Sequence, residues 1–243
     1  PISMNGLLIR KYNDGSISKP ISPHVLGGVT DIDGNRYRTI IIGTQEWTID
    51  NLRTSRFTDG TLIPIVKDDF KWAGMKTPAY CFYNNSNDSN FIVRQGALYN
   101  GLCISGDKNL APKGWRIPSR RDWDILWEYM VFHGYNWDGR CKGNKYAKAI
   151  ADSIMWISSP ECQLGNVGKE IGDNNSSGFS ALPCGRRNDF TFDDFGKSAY
   201  FWSSTMEAIK IENIRDDVDC IMVTGSQGYS VRIVRDIDSL LCK

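Results

Sequence analysis

The order of local signals along the chain constrains its fold most. β-Forming runs lie near both ends, with helix signals and long polar coil between them. A βαβ array would alternate strands and helices throughout, so this order predicts an α+β fold with antiparallel strands. At the front, DIDGNRYRTIIIGTQEW (31–47) sets Asp33-Gly34 at a hairpin turn, because the left-handed backbone of a tight turn suits glycine. Ile40, Ile41 and Ile42 favour a strand, and Gly43 marks a second turn before Glu46-Trp47-Thr48-Ile49. A short meander is expected there. At the back, β runs are expected near 200–204 and 220–224. A last one is GYSVRIVRD (228–236), where Tyr229, Val231 and Ile233 alternate with Ser230, Arg232 and Val234.

The clearest helix start lies in GWRIPSRRDWDIL (114–126). Ser119 is placed to cap the backbone, and Asp122 sits where a capping box carries its acidic partner. Trp123, Leu126, Trp127 and Met130 follow at helical spacing, and Gly134 ends the helix with His133 in its last turn. A second helix is expected over 145–154. Residues 53–109 read as irregular coil with aromatic islands at Trp72, Tyr80, Phe82 and Tyr83. Residues 1–27, with Asn13-Asp14-Gly15, Pro20 and Pro23, read as an N-terminal extension or linker, and 28–243 as one domain.

Charge argues against a nucleic-acid partner. Lys and Arg total 29 against 28 Asp and Glu, whereas phosphate binders carry a basic excess. No apolar run reaches the roughly 18 residues of a spanning helix. The seven cysteines (Cys81, Cys103, Cys141, Cys162, Cys184, Cys220 and Cys242) are widely spaced, without the C-x-x-C of zinc or redox sites. Disulfides and buried free thiols are equally compatible with that spacing, and an odd count leaves one unpaired.

Seven islands in order resemble the Fibrobacter succinogenes major paralogous domain. They are DIDGNRYRTIIIGTQEW, TPAYCFYNN (77–85), GALYN (96–100), LAPKGWRIPSRRDWDIL (110–126), GFSALPCGRRN (178–188), YFWSST (200–205) and GYSVRIVRD. The resemblance implies a C-type lectin-like fold, with paired terminal strands, two flanking helices and long ordered loops. It also implies an extracytoplasmic setting, on the cell surface as a lipoprotein anchored upstream or secreted, in Bacteroidetes-like bacteria. Many members carry Cys where this chain has Ile233, and Gly-Gly where it has Cys184-Gly185, so family disulfides do not transfer.

Catalytic groups are sparse. His24 and His133 are the two histidines, neither within a recognisable motif, and no nucleophile elbow or phosphate-binding glycine loop occurs. Asp68-Asp69 and Asp193-Asp194 invite a glycosidase reading, but adjacent side chains point apart. Trp202-Ser203-Ser204 lacks the carboxylate that calcium-dependent lectins use, and the oxygen-rich clusters at Asn87-Asp88 and 173–175 read as turns. Copper-holding cysteine pairs, used by the related formylglycine-generating enzymes, have no close counterpart in sequence. No metal, cofactor or catalytic residue is therefore assigned.

Trp47, Trp115, Trp123 and Trp202 are assigned to the core, while Trp72, Trp137, Phe190 and Phe192 lie in loop-like sequence that offers apolar faces. The candidate ligand loop comprises Arg186, Arg187, Asn188, Asp189, Phe190 and Phe192. The competing view is that its arginines fix the loop through backbone carbonyls and buried carboxylates. The expected function is a non-catalytic, monomeric binding or adhesion module recognising glycan or a surface protein. The alternatives are an enzyme related to the formylglycine-generating oxidases and a purely structural surface domain.

Overall fold

The computed structural model describes residues 2–4, 7–9 and 25–237. His24, Cys242 and the turn and proline signals at 13–23 lie outside these residues. In chain order the first strands are β1 (Ile2–Met4), β2 (Leu7–Ile9), β3 (Val25–Thr30), β4 (Arg36–Ile42) and β5 (Gln45–Thr48). Next come α1 (Asp69–Ala73), β6 (Tyr80–Cys81), α2 (Ser89–Gln95), β7 (Leu98–Asn100) and α3 (Leu102–Ser105). The main helix α4 (Arg120–Phe132) and the single turn α5 (Ala147–Ile150) follow. The last strands are β8 (Cys184–Arg187), β9 (Phe192–Phe195), β10 (Ser198–Trp202), β11 (Glu207–Glu212), β12 (Val218–Met222), β13 (Gly228–Tyr229) and β14 (Val234–Asp236).

These strands build antiparallel sheets, and the architecture is sheet-rich α+β. One sheet runs β14-β5-β4-β3, a second β6-β7-β13-β8-β9 and a third β10-β11-β12, while β1 and β2 pair separately. The front meander forms where the turn chemistry requires it. Asp31 accepts the backbone N–H groups of Asp33 and Asn35, each at 2.9 Å, and Gly34 adopts φ +83°. Gly43 turns the next hairpin at φ +63°, and a side chain there would strike the Tyr129 ring at 2.7 Å. β14 then pairs with β5, Val234 opposite Trp47, so the last strand closes the first sheet.

The capping box of α4 is complete. Ser119 accepts from the Asp122 backbone, and the Asp122 carboxylate accepts the Ser119 N–H at 2.8 Å. The same carboxylate takes Arg116 Nη2 at 2.6 Å and Gln45 Nε2 at 3.2 Å, binding the helix start to β5. Burial pushes its pKa up, but the hydrogen bonds from Arg116 and Ser119 outweigh burial and hold it below the ordinary 3.8. A depressed folded-state value stabilises the fold fully above the unfolded value, and that share is lost as pH falls through the folded one. Asp122→Asn is thus expected to cost about 2 kcal/mol at neutral pH. The gap in urea midpoint between variant and wild type should narrow as pH falls below 3.8; a gap that stays constant on acidification would refute the assignment.

The core gathers aromatic residues under α4 and across the sheets. Trp47 and Trp123 lie 4.7 Å apart, with Phe179 and Phe201 beside them, and Trp202 packs 4.9 Å from Tyr229. All four tryptophans assigned to the core are buried. Trp127 departs from the helical-face expectation: it sits at the margin of the buried stripe and is 39% exposed. The second helix is shorter than expected because Ala151 leaves the helix to bridge Ala181. Residues 53–109 hold three short α-helices, one 3-10 turn (Tyr83–Asn85) and two short strands rather than coil alone. Asp88, read as a turn residue, caps α2 by accepting the N–H of Asn90 and Phe91.

The expected strand over 228–236 is two short strands around an irregular centre. Residues 229–234 are all buried, so polar and apolar positions alike face protein. Ser230 exchanges backbone bonds with Tyr200 and Trp202, while Val231 and Ile233 accept from Leu52 and Thr48. The segment crosses from the second sheet to the first, and its irregular centre makes the bend between them.

Candidate functional site

The candidate loop is a hairpin. β8 and β9 pair with Arg186 opposite Asp193 and Arg187 opposite Phe192, and the Asn188 N–H closes the turn on Thr191 O at 2.8 Å. Gly185 permits the close pairing: it adopts φ +64°, and a Cβ there would lie 2.3 Å from Asp193 O. Successive strand residues face opposite sides, and the two arginines divide accordingly. Arg186 lies over the Tyr200 ring at 5.2 Å and meets Asp194 at 3.2 Å. Arg187, fully buried, donates to Val66 O at 2.8 Å, Lys67 O at 3.2 Å and Asp69 Oδ1 at 2.9 Å.

Arg187 also stacks between Trp72 at 4.5 Å and Phe192 at 4.8 Å. It therefore fixes α1 and the preceding strand-like segment against the hairpin through backbone carbonyls. Its carboxylate partner Asp69 is 47% exposed rather than buried, and Arg186 meets a half-buried carboxylate and, among the described residues, no carbonyl. Asp68 caps α1 by accepting the Lys71 N–H at 2.7 Å, while Asp69 turns to Arg187. Asp193 accepts from Asn188 and Thr191, and Asp194 accepts the Tyr200 hydroxyl at 2.7 Å. Neither acidic pair shares one site, and each carboxylate is used structurally.

One apolar feature remains at the surface of this assembly. Phe70, 81% exposed on α1, meets Phe190, 55% exposed at the hairpin turn, with ring centroids 5.7 Å apart and planes inclined by 64°. Together they form an open edge-to-face corner, with exposed Asp189 beside Phe190 and half-buried Asn188 behind it. Phe192 does not join them: it packs half-buried on Tyr83 at 5.3 Å. Trp72 is buried, its indole donating to Ser226 O at 2.8 Å, and Trp137 lies elsewhere, bonded to Asp216. Sequence reasoning missed Phe70. The signal that could have found it is the Asp68 cap two residues earlier, which opens α1 and so places Phe70 on a helix.

Other candidates resolve into internal ties. Asn174 is buried, donating to Asp152 O and Val167 O and accepting from Lys148 Nζ at 3.0 Å. His133 stacks on Tyr129 at 3.9 Å, and its Nδ1 lies 2.9 Å from Tyr129 O. The six described cysteines are free. Burial pushes the thiols of Cys81, Cys103 and Cys184 up to about 12, far from a thiolate at neutral pH. Among the described residues, no cluster of three or more His, Cys, Asp or Glu is arranged to hold a metal.

A model of the Fibrobacter succinogenes major domain matches residues 40–235, more than half of the chain. The chain belongs to the Fibrobacter succinogenes major domain family. No curated protein and no solved structure matches it. The match runs from within β4 to within β14, so the hairpin and the aromatic corner both lie inside the Fibrobacter succinogenes major domain. No helix among the described residues is long and apolar enough to cross a membrane.

Proposed function

We propose that this domain is a non-catalytic binding module, displayed at the cell surface or secreted, that engages a glycan or protein through the Phe70–Phe190 corner. One observation carries the reading. Two large apolar side chains stand in water on segments held rigid beneath them by a fully buried arginine. A preformed aromatic anchor with a polar rim binds without first losing conformational freedom. The pairing of the last strand with the front sheet, the helix α4 and the long ordered segments support a C-type lectin-like arrangement, in which the loops carry the binding surface.

The double variant Phe70→Ala/Phe190→Ala separates binding from folding. Both side chains are exposed, so thermal stability should change by less than about 1 kcal/mol. Wild-type and variant domains should be compared on a glycan array and on an array of immobilised surface proteins. On any surface that captures the wild type, the variant is expected to bind at least ~10-fold more weakly. Equal capture of both, or capture of neither on every surface, would overturn the reading.

A further inference from the structure

The third sheet ends on an open edge. β12 pairs with β11 on one side only, so its backbone groups alternate between facing β11 and facing outward. Asn144 shows which residues face outward. Its side-chain amide accepts the Val218 N–H at 3.0 Å and donates to Val218 O at 2.8 Å, as a neighbouring strand would. Glu207 agrees: its C=O accepts from Ser203 on the β10 side, which leaves its cross-strand neighbour Met222 facing away from β11. Cys220 and Met222 therefore share the outward orientation of Val218. Two residues further on, Gln227 Oε1 accepts the Thr224 N–H at 2.8 Å.

Between these two side-chain caps, the N–H and C=O groups of Cys220 and Met222 have no partner among the described residues. Edges of this kind are commonly blunted by lysine, proline or a bulge, and β12 has neither residue and no register shift. Its side chains add a knob and a socket. Met222 is 84% exposed, more than any other large apolar residue described. Val218 and Cys220, on the same face, line a crevice of about 160 Å³ with Trp123, Trp127 and Ile209. That space would take about five waters at ~30 Å³ each, or one unbranched side chain.

We propose that β12 pairs antiparallel with β12 of a second copy, about a two-fold axis at Ile221, in place of the monomer expected from sequence. Cys220 of each copy then faces Met222 of the other, and N–H···O=C bonds fill the open window from both sides. Directly opposite residues share a face, so each Met222 side chain arrives beside Cys220 of the second copy, at the mouth of its crevice. The caps select this register. An axis at Cys220 would set Met222 against the capped Val218, and an axis at Met222 would set Cys220 against the capped Thr224. An interface built on so short a window belongs with the transient class below roughly 1,200 Å², so the dimer should form in proportion to concentration.

The test is sedimentation of the intact chain up to ~1 mM, with hydrogen exchange measured at both ends of the concentration range. Dimer is expected to accumulate, and the Cys220 and Met222 amides to slow with it, while the Ile221 amide, bonded within the ladder to Ala208, stays slow throughout. Met222→Lys, at a position exposed enough to spare folding, should weaken dimerisation ~10-fold or more. Met222→Cys should join Cys220 of the second copy on oxidation with diamide, because facing hydrogen-bonded residues lie ~5.5 Å apart at Cα, within disulfide reach. Phe70→Ala/Phe190→Ala should leave the dimer unchanged, which separates this proposal from the corner's role. A monomer at ~1 mM, a dimer indifferent to Met222→Lys, or a disulfide from position 222 to any cysteine but Cys220 would overturn it.

Discussion

Arg232→Met is expected to destabilise the domain by roughly 4 kcal/mol and to lower the thermal midpoint by roughly 8–16 °C. The guanidinium is fully buried at the crossing segment between β13 and β14. It donates to Thr48 O at 3.1 Å, Asn51 Oδ1 at 3.1 Å, Phe179 O at 2.5 Å and Ser180 O at 2.7 Å. It also lies over Phe179 at 4.4 Å and Phe201 at 5.2 Å. Burial draws its pKa down to about 10, still high enough to keep it charged at neutral pH. Methionine would fill most of the volume but take this donor from four acceptors, three of them buried, and each buried loss costs about 1–3 kcal/mol. Lysine would not restore them, since a point ammonium cannot span the planar fan of acceptors. Circular dichroism melts of both variants check this; a midpoint shift under about 3 °C would show the network to be dispensable.

Arg187→Met is the second large effect, at about 3 kcal/mol, and it should be local as well as global. Arg187 is the link between Val66, Lys67, Asp69 and the hairpin, and Asp69 is itself half in solvent, so one of its partners can be rehydrated. That difference is why the expected cost is smaller than for Arg232. The loss should loosen α1 first, because its single turn has few other tertiary hydrogen bonds. Hydrogen exchange of the Trp72 amide, bonded to Asp68 O, should accelerate more than that of the β10–β11 ladder. Uniform acceleration across both would place the arginine's role in general stability rather than in holding the aromatic corner.

Local chemistry made much of this fold legible. Asp33-Gly34 and Gly43 specify their turns through backbone conformation, and Ser119 with Asp122 specifies the start of α4 through a reciprocal pair of hydrogen bonds. Those interactions span a few residues and leave a readable spacing. The hairpin carrying Arg186 to Phe192 was located from motif order, but its internal roles were only partly visible. Arg187 and Phe192 turn inward because of strand alternation at a hairpin whose register depends on Gly185. Phe70 becomes interesting only through its contact with Phe190, more than a hundred positions away.

The chain's own residue pattern set the turns, the main helix, the buried tryptophans and the antiparallel α+β class, since each arises from short-range preference or from hydrophobic spacing. Three-dimensional packing settled which arginines are swallowed by the core, which aromatic rings stay wet, and how the 230–233 segment passes between sheets. The physical cause is the same in each case. A side chain's burial and partners are set by residues distant in sequence, and neighbours in the chain carry no record of them.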